Sequence, residues 1–154
     1  MNSIDEERAD KPRPDLLPLA FLVDSDELWM VMRGLLDAVT QPVAAPYIYD
    51  AAERLATVIG PHAWLRAGEV MAYGVHKHGL TTWRVVGTQQ AEPQTHLASA
   101  IRHLLEWRAD HDAVEEGSGL PVLWHALAQL AICWDLLQHP PTGTPGEHDG
   151  RGVL

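Results

Sequence analysis

The fold is decided by HLASAIRHLLEWRADHDAVEEGSGLPVLWHAL, residues 96–127. Its first part repeats leucine and isoleucine three and four positions apart, which is the spacing of a helix with one apolar face. Gly117-Ser118-Gly119 interrupts that pattern, and a second apolar segment follows from about residue 120. We therefore expect two helices joined by a short acidic loop, with Ser118 as the N-cap of the second helix.

The opposite face of the first helix is polar and carries Arg102, His103, Glu106 and Asp110. Residues three, four and seven positions apart stack on one side of a helix, so these side chains are expected to lie together. Carboxylates in such a group are the oxygen ligands that Mg²⁺ and Mn²⁺ prefer. The same pattern also fits a solvent-exposed face with an ordinary Arg102–Glu106 ion pair.

The loop that follows is acidic, with His111-Asp112, Glu115 and Glu116 close behind Asp110. Such a loop can supply further metal ligands or a general base for water. It also fits a plain polar connection between two helices. Because the loop adjoins the polar helix face, the two patterns together favour a metal site more than either does alone.

Composition limits the classes of function. Eleven basic against 21 acidic residues give a formal net charge of −10, which disfavours a nucleic-acid surface. The single cysteine, Cys133, excludes an internal disulfide and a thiolate zinc cluster, and its apolar surroundings predict a buried thiol. No secretory signal or membrane-spanning run is visible, so we expect a soluble cytoplasmic protein, in the host cytoplasm if phage-encoded.

The chain is expected to form one all-α domain of about five helices over residues 19–138. Residues 1–18 carry charges and prolines and predict a flexible arm, and residues 139–154 predict a Pro/Gly-rich tail. Residues 76–95 predict a loop. The helices are expected at 24–39, 50–59, 61–74, 96–109 and 120–138. The prolines between Gln41 and Pro46 predict a break before the second helix, and Asp50 with Glu53 predicts its N-cap.

A third candidate group lies in GVHKHGLTTWR, residues 74–84. Lys77 and Arg84 are suited to neutralising phosphate oxygens. Trp83 can stack on a base or simply close the core. His125, on the last helix, fits either a ligand contact or a hydrogen-bonded structural histidine.

Taken in order, these segments resemble the dATP/dGTP diphosphohydrolase family, the MazG-like all-α nucleotide pyrophosphohydrolases that include the MazZ proteins of phages with 2-aminoadenine DNA. The chain departs from the family pattern at His78, Thr82 and Val122, and its acidic loop is slightly longer, so the acids of that loop have no unique counterparts. The resemblance rests on five segments: YGVHKHG at 73–79, TWR at 82–84, AIRHL at 100–104, SGL at 118–120 and LWHAL at 123–127.

The resemblance implies a MazG-like helical bundle that assembles as a dimer or tetramer. It also implies that water attacks a nucleoside triphosphate between the α- and β-phosphates, which releases a monophosphate and pyrophosphate with the help of two or more Mg²⁺ or Mn²⁺ ions. The expected substrate is a purine nucleotide, dGTP or GTP, and in a phage the dGMP formed would supply 2-aminoadenine nucleotide synthesis.

On this interpretation Glu106 and Asp110 act in catalysis. The expected metal ligands are Glu106, Asp110, Asp112 and Glu115. The expected substrate contacts are Lys77, Trp83, Arg84, Arg102, His103 and His125.

Two other interpretations remain open at this stage. His111-Asp112 is an HD dyad, and His96, His103 and Asp135 are available to complete the metal site of an HD-type dNTP phosphohydrolase. The other interpretation is a non-catalytic helical interaction module, in which the acidic loop is only a partner surface.

Overall fold

The computed structural model describes residues 44–79 and 82–142. In this part of the chain there are four α-helices and no β-strand, which confirms the all-α prediction. The predicted arm over 1–18, the predicted helix over 24–39 and the tail beyond residue 142 lie outside the described residues. The helices are α1 (Ala45–Ile59), α2 (Ala63–His78), α3 (Pro93–Ala109) and α4 (Val122–Gln138).

Glycines end the first two helices. Gly60 (φ 116°) closes α1 and Gly79 (φ 93°) closes α2, both in a backbone region that residues with a Cβ rarely adopt. The predicted end of α2 at Gly74 was wrong, because a glycine with ordinary φ weakens a helix without stopping it. Residues 76–78, predicted as loop, therefore continue α2, and two short 3₁₀ turns, Thr82–Arg84 and Gln89–Ala91, occupy much of the rest of that predicted loop.

The start of α1 was also predicted too late. The helix begins at Ala45, with Pro46 in its first turn, where the missing N–H of proline costs no hydrogen bond. Asp50, predicted as an N-cap, lies inside the helix and accepts a hydrogen bond from Arg54 Nε at 3.0 Å. Proline therefore marked the first turn of the helix and not a break before it.

Helix α4 is the centre of the bundle and packs against α1, α2 and α3. Its sequence is apolar on nearly all sides, which is expected of a helix surrounded by others. Leu127 and Cys133 are fully buried in this core, together with Ile48 of α1 and Leu97 of α3. The predicted buried thiol of Cys133 is confirmed, and its burial raises the pKa to about 12.

The acidic loop between α3 and α4 is held by its own backbone. Val114 and Pro121 form an isolated antiparallel bridge, and Val122 N–H donates to the carbonyl oxygen of Ala113 at 3.1 Å. The N-cap of α4 is Pro121, not Ser118 as predicted, and no side chain caps this end. Ser118 Oγ instead accepts a hydrogen bond from Leu120 N–H at 3.1 Å, inside the loop.

None of the helices in the described ranges is long and apolar enough to cross a membrane.

Candidate active site

A cavity of about 420 Å³ lies between α2, α3, α4 and the acidic loop. Its volume is within the range of small-molecule sites. Of the six buried polar or charged residues in the described part of the chain, five line this cavity, and only Arg84 does not. Since burying polar groups costs free energy unless they are paired, their concentration in one place marks the cavity as the candidate site. The five are Gln90, His96, Ser99, His103 and His125.

Glu106 faces the cavity from the last turns of α3, and two neighbours on the same helix face stabilise its charge. His103 Nδ1 lies 3.3 Å from Glu106 Oε2, and Arg102 Nε lies 3.7 Å from Oε1. The hydrogen bond from His103 is the main reason that the pKa of Glu106 falls below 4.5; burial opposes this shift, and the charges of His103 and Arg102 add to it. Three of the four residues of the predicted polar face, Arg102, His103 and Glu106, thus lie together, and the carboxylate of Glu106 is ionised.

Glu115 faces the same cavity from the loop. Ser118 N–H donates to Glu115 Oε2 at 2.7 Å, and His125 Nε2 lies 3.8 Å from the same oxygen. Burial raises the pKa of Glu115, but the hydrogen bonds from Ser118 and Gly117 and the charge of His125 outweigh burial, so that the pKa lies below 4.5. The negative charge of Glu115 in turn raises the pKa of Glu106, so the two carboxylates repel each other.

The remaining predicted substrate contacts divide into two groups. Lys77 and Trp83 line the cavity, and Lys77 Nζ lies 6.0 Å from the centre of the Tyr73 ring. Arg84 does not line it: its side chain is 2% exposed and its Nη1 donates to Asp135 Oδ2 at 3.1 Å. The structure therefore gives Arg84 a carboxylate partner where a phosphate was predicted.

Asp110 and Asp112 do not line the cavity, and both are exposed. Helix α3 ends at Ala109, and Asp110 is extended (φ −151°, ψ 109°), so its side chain no longer follows the helical spacing that placed it beside Glu106. Its Oδ1 accepts a hydrogen bond from Asp112 N–H at 2.9 Å. Their roles in catalysis and metal binding stay predictions that their positions do not support.

The sequence from residue 47 to residue 144 matches the family model described as dATP/dGTP diphosphohydrolase, N-terminal. The chain belongs to this family. The match includes all four described helices except the first two residues of α1, and it covers the whole cavity wall. Neither the curated proteins nor the solved structures that were searched contain a match to the chain.

In this family member, Ser118 does not line the cavity but positions two residues that do, a role that the prediction of an N-cap does not include. Ser118 Oγ lies 2.7 Å from His125 Nε2, while its own N–H holds Glu115. One serine therefore fixes both a carboxylate and a histidine of the cavity wall. The sequence signals were its place in the acidic loop and in the SGL segment at 118–120. Neither indicates the contact with His125, because a loop-to-helix contact over seven positions has no periodic pattern.

The structure does not bring the HD constellation together. His111 is exposed and stacks on Trp107 with ring centres 4.2 Å apart, whereas His96 is buried near the start of α3. The helix rise alone puts roughly 20 Å between these ends of α3. Asp135 Oδ2 accepts hydrogen bonds from Trp83 Nε1, at 3.2 Å, and from Arg84 Nη1.

The donor set suits a magnesium or manganese ion that arrives with a triphosphate. No three His, Cys, Asp or Glu side chains of residues 44–79 and 82–142 are grouped so as to hold a metal by themselves. Mg²⁺ is usually held by one or two carboxylates together with waters and substrate phosphates, so a complete protein cage is not required. Glu106 and Glu115 provide two ionised carboxylates on one cavity, and a cation there would relieve their mutual repulsion.

Gly117 gives a test of how closely the loop must pack. A Cβ at this position would lie 2.7 Å from Tyr73 Oη and within 3.3 Å of both Glu115 carboxylate oxygens. We expect Gly117→Ala to move Glu115 and to lower kcat/KM by about tenfold or more, since small displacements of site groups have large kinetic effects. Steady-state assays would measure this change.

The matched control for Gly117→Ala is Gly68→Ala, in the exposed interior of α2, where a Cβ would meet nothing within 4 Å. This variant should gain about 0.5–1 kcal/mol of stability and keep its activity, since alanine is the better helix former. Equal kinetics for the Gly117→Ala variant and the unmodified protein would show that the loop does not position Glu115.

The lowered pKa of Glu115 predicts a pH-dependent contribution to stability. The ionised form is favoured by folding, so this contribution is complete above pH 4.5 and is lost as the pH falls through the lower pKa of the folded state. We expect the difference in free energy of unfolding between the unmodified protein and Glu115→Gln to shrink below pH 4.5. Urea titrations between neutral and acidic pH would measure it. A difference that grows on acidification would contradict the assignment.

Proposed function

We propose that the protein hydrolyses a purine (deoxy)nucleoside triphosphate, dGTP or GTP, to the monophosphate and pyrophosphate. The observation that carries this proposal is the pair of ionised carboxylates, Glu106 and Glu115, on a cavity that also contains Lys77 and Arg102. A triphosphate chain is highly charged, and cationic side chains with carboxylate-bound metal are the means by which proteins hold it. Family membership supports the same reaction.

Within this proposal each side chain has a role. Lys77, Arg102 and His103 bind phosphate oxygens, and Trp83 lines the part of the cavity that receives the base. Glu106 and Glu115 hold Mg²⁺ or Mn²⁺, which when bound offsets phosphate charge and lowers the pKa of the attacking water. Glu106 also orients that water, and His125 with Ser118 keeps Glu115 directed at the cavity.

An assay with each purine and pyrimidine dNTP in the presence of Mg²⁺ or Mn²⁺, with separation of the products, tests the reaction. Monophosphate plus pyrophosphate supports the proposal. Nucleoside plus intact triphosphate would instead support the HD-type phosphohydrolase. Absence of turnover with every nucleotide and metal would exclude both and favour an interaction module.

Removal of divalent cations is expected to abolish turnover. Both carboxylates are ionised at neutral pH and would repel a triphosphate in the absence of a metal. Dialysis against EDTA should reduce the rate to background, and addition of Mg²⁺ or Mn²⁺ should restore it. Unchanged activity after chelation would remove the metal from the mechanism.

We also propose that the protein forms a homo-oligomer, and that in a phage its product dGMP supplies 2-aminoadenine nucleotide synthesis. Large exposed apolar side chains on α1 and α2 support the first proposal, because such surface favours association. They include Tyr47, Tyr49, Trp64 and Leu65, each at least 48% exposed. Sedimentation equilibrium would measure the oligomeric state, and a monomer at micromolar concentration would exclude a stable assembly.

A further inference from the structure

The end of the cavity away from the carboxylates contains a hydrogen-bonded chain of three residues. His96 is only 1% exposed, and its Nε2 lies 2.7 Å from the backbone carbonyl oxygen of Gln90. Its Nδ1 lies 2.6 Å from Gln129 Oε1. All three residues line the cavity. Ten positions separate His96 from Glu106 on α3, a distance of about 15 Å along the helix.

These contacts determine which amide atom of Gln129 faces His96. A backbone carbonyl only accepts hydrogen bonds, so His96 Nε2 carries a proton. In the neutral form of the ring, which the first experiment below tests, Nδ1 is then an acceptor. An acceptor cannot bond to the carbonyl oxygen of Gln129, but it can bond to its NH₂ group. Rotating the Gln129 amide by 180° exchanges its oxygen and its nitrogen. The rest of the side chain stays in place, because the two ends of the amide have nearly the same shape.

This rotation places the carbonyl oxygen of Gln129 at the other amide position. The atom at that position makes no hydrogen bond with the described residues, and the Gln129 side chain lines the cavity. The atom at this position is open to the cavity and therefore to water, so a ligand that displaces the water must supply a donor in its place or lose that hydrogen bond. The donors that purines present on their edges include the N2 amino group of guanine and the N6 amino group of adenine.

We infer that Gln129 is a specificity-determining residue that accepts a hydrogen bond from the amino group of the base, and that His96 is the positioning residue that fixes its amide. This inference rests on the proposed function, since it requires the cavity to bind a nucleotide with its phosphates near Glu106. The base then lies about 15 Å further along α3, near Gln129. A base without an amino group leaves the Gln129 oxygen without a partner.

The protonation state of His96 tests the positioning step independently of any activity. Long-range ¹H–¹⁵N correlation spectra distinguish the neutral tautomers of histidine from the imidazolium. The signals of His96 are identified by their absence in His96→Asn. We expect the neutral tautomer with the proton on Nε2 at neutral pH. An imidazolium, or a proton on Nδ1 alone, would overturn the assigned amide orientation.

The specificity step is tested with dGTP and dITP, which differ only in the amino group at position 2 of the base. We expect kcat/KM for dGTP to exceed that for dITP by about tenfold or more in the unmodified protein. Gln129→Leu should bring the two values to within about twofold, because it removes the acceptor. Gln129→Glu should retain the preference for dGTP, because a carboxylate offers an acceptor oxygen at either position.

Gln138→Leu is the matched control, since Gln138 is exposed at the end of the same helix and does not line the cavity. It should leave both kcat/KM values unchanged. Equal values for dGTP and dITP in the unmodified protein would refute the inference while leaving pyrophosphohydrolase activity intact. Loss of the preference in Gln129→Glu would refute the role of an acceptor at position 129, because the carboxylate retains one. Absence of turnover with both nucleotides would instead refute the proposed function.

Discussion

Glu106→Gln is expected to lower kcat by about 10²–10⁴-fold, the range for loss of a group that acts in the chemical step. The substitution keeps the shape of the side chain and removes its charge, so that under the proposed mechanism it weakens both metal binding and the orientation of water. His103 and Arg102 would still contact the amide, and the Glu106 side chain is 41% exposed, so the fold should tolerate the change. Steady-state assays and circular dichroism would measure activity and folding on the same sample.

Glu53→Gln provides the comparison for this variant. Glu53 is exposed on α1 and does not line the cavity, and the substitution makes the same change of charge and shape. Its kcat should match that of the unmodified protein. Full activity in Glu106→Gln would remove Glu106 from the site, and an equal loss in both variants would show that net charge and not position matters.

Leu127→Ala is expected to lower the free energy of unfolding by about 2–5 kcal/mol, the usual range for truncation of a buried leucine. Leu127 is fully buried on α4, the helix against which the other three pack. The loss combines the reduced burial of apolar surface with a cavity that a central helix cannot easily fill. Urea unfolding followed by circular dichroism would measure it.

Leu65→Ala is the corresponding surface truncation, because Leu65 is 70% exposed on α2. We expect this substitution to change the free energy of unfolding of the monomer by no more than about 0.5 kcal/mol. Similar losses in the two variants would show that Leu65 is covered by another chain, and a loss below 1 kcal/mol in Leu127→Ala would show that the core around α4 can repack.

The helices within the described residues were predictable because helical signals are local. Apolar residues three and four positions apart form one face whatever the helix later packs against, and Gly60, which has a positive φ, ends α1 at the predicted position. The errors were at the helix ends. Pro46 and Gly74 predicted breaks, but the first turn of a helix accepts proline and a helix interior tolerates glycine.

Half of the candidate site could be predicted for the same reason. Arg102, His103 and Glu106 lie three and four positions apart on one helix, so their contacts follow from the sequence, and the structure places them together. Asp110 was added by the same rule but lies beyond the last residue of α3, where the rule no longer holds. The five motif segments, taken together, indicated the family, and the match over residues 47–144 confirmed it.

The rest was decided only by the packing of distant segments. Arg84 and Asp135, which are 51 positions apart, form a part-buried ion pair. His96 and Gln129, which are 33 positions apart, form the end of the cavity. Which partner a charged or amide side chain finds depends on how α4 packs against its neighbours, and no spacing along the chain records that packing. The sequence by itself thus determined the helices, the family and the polar face of α3, whereas the tertiary structure placed Glu115 opposite Glu106 and buried Arg84 away from the cavity.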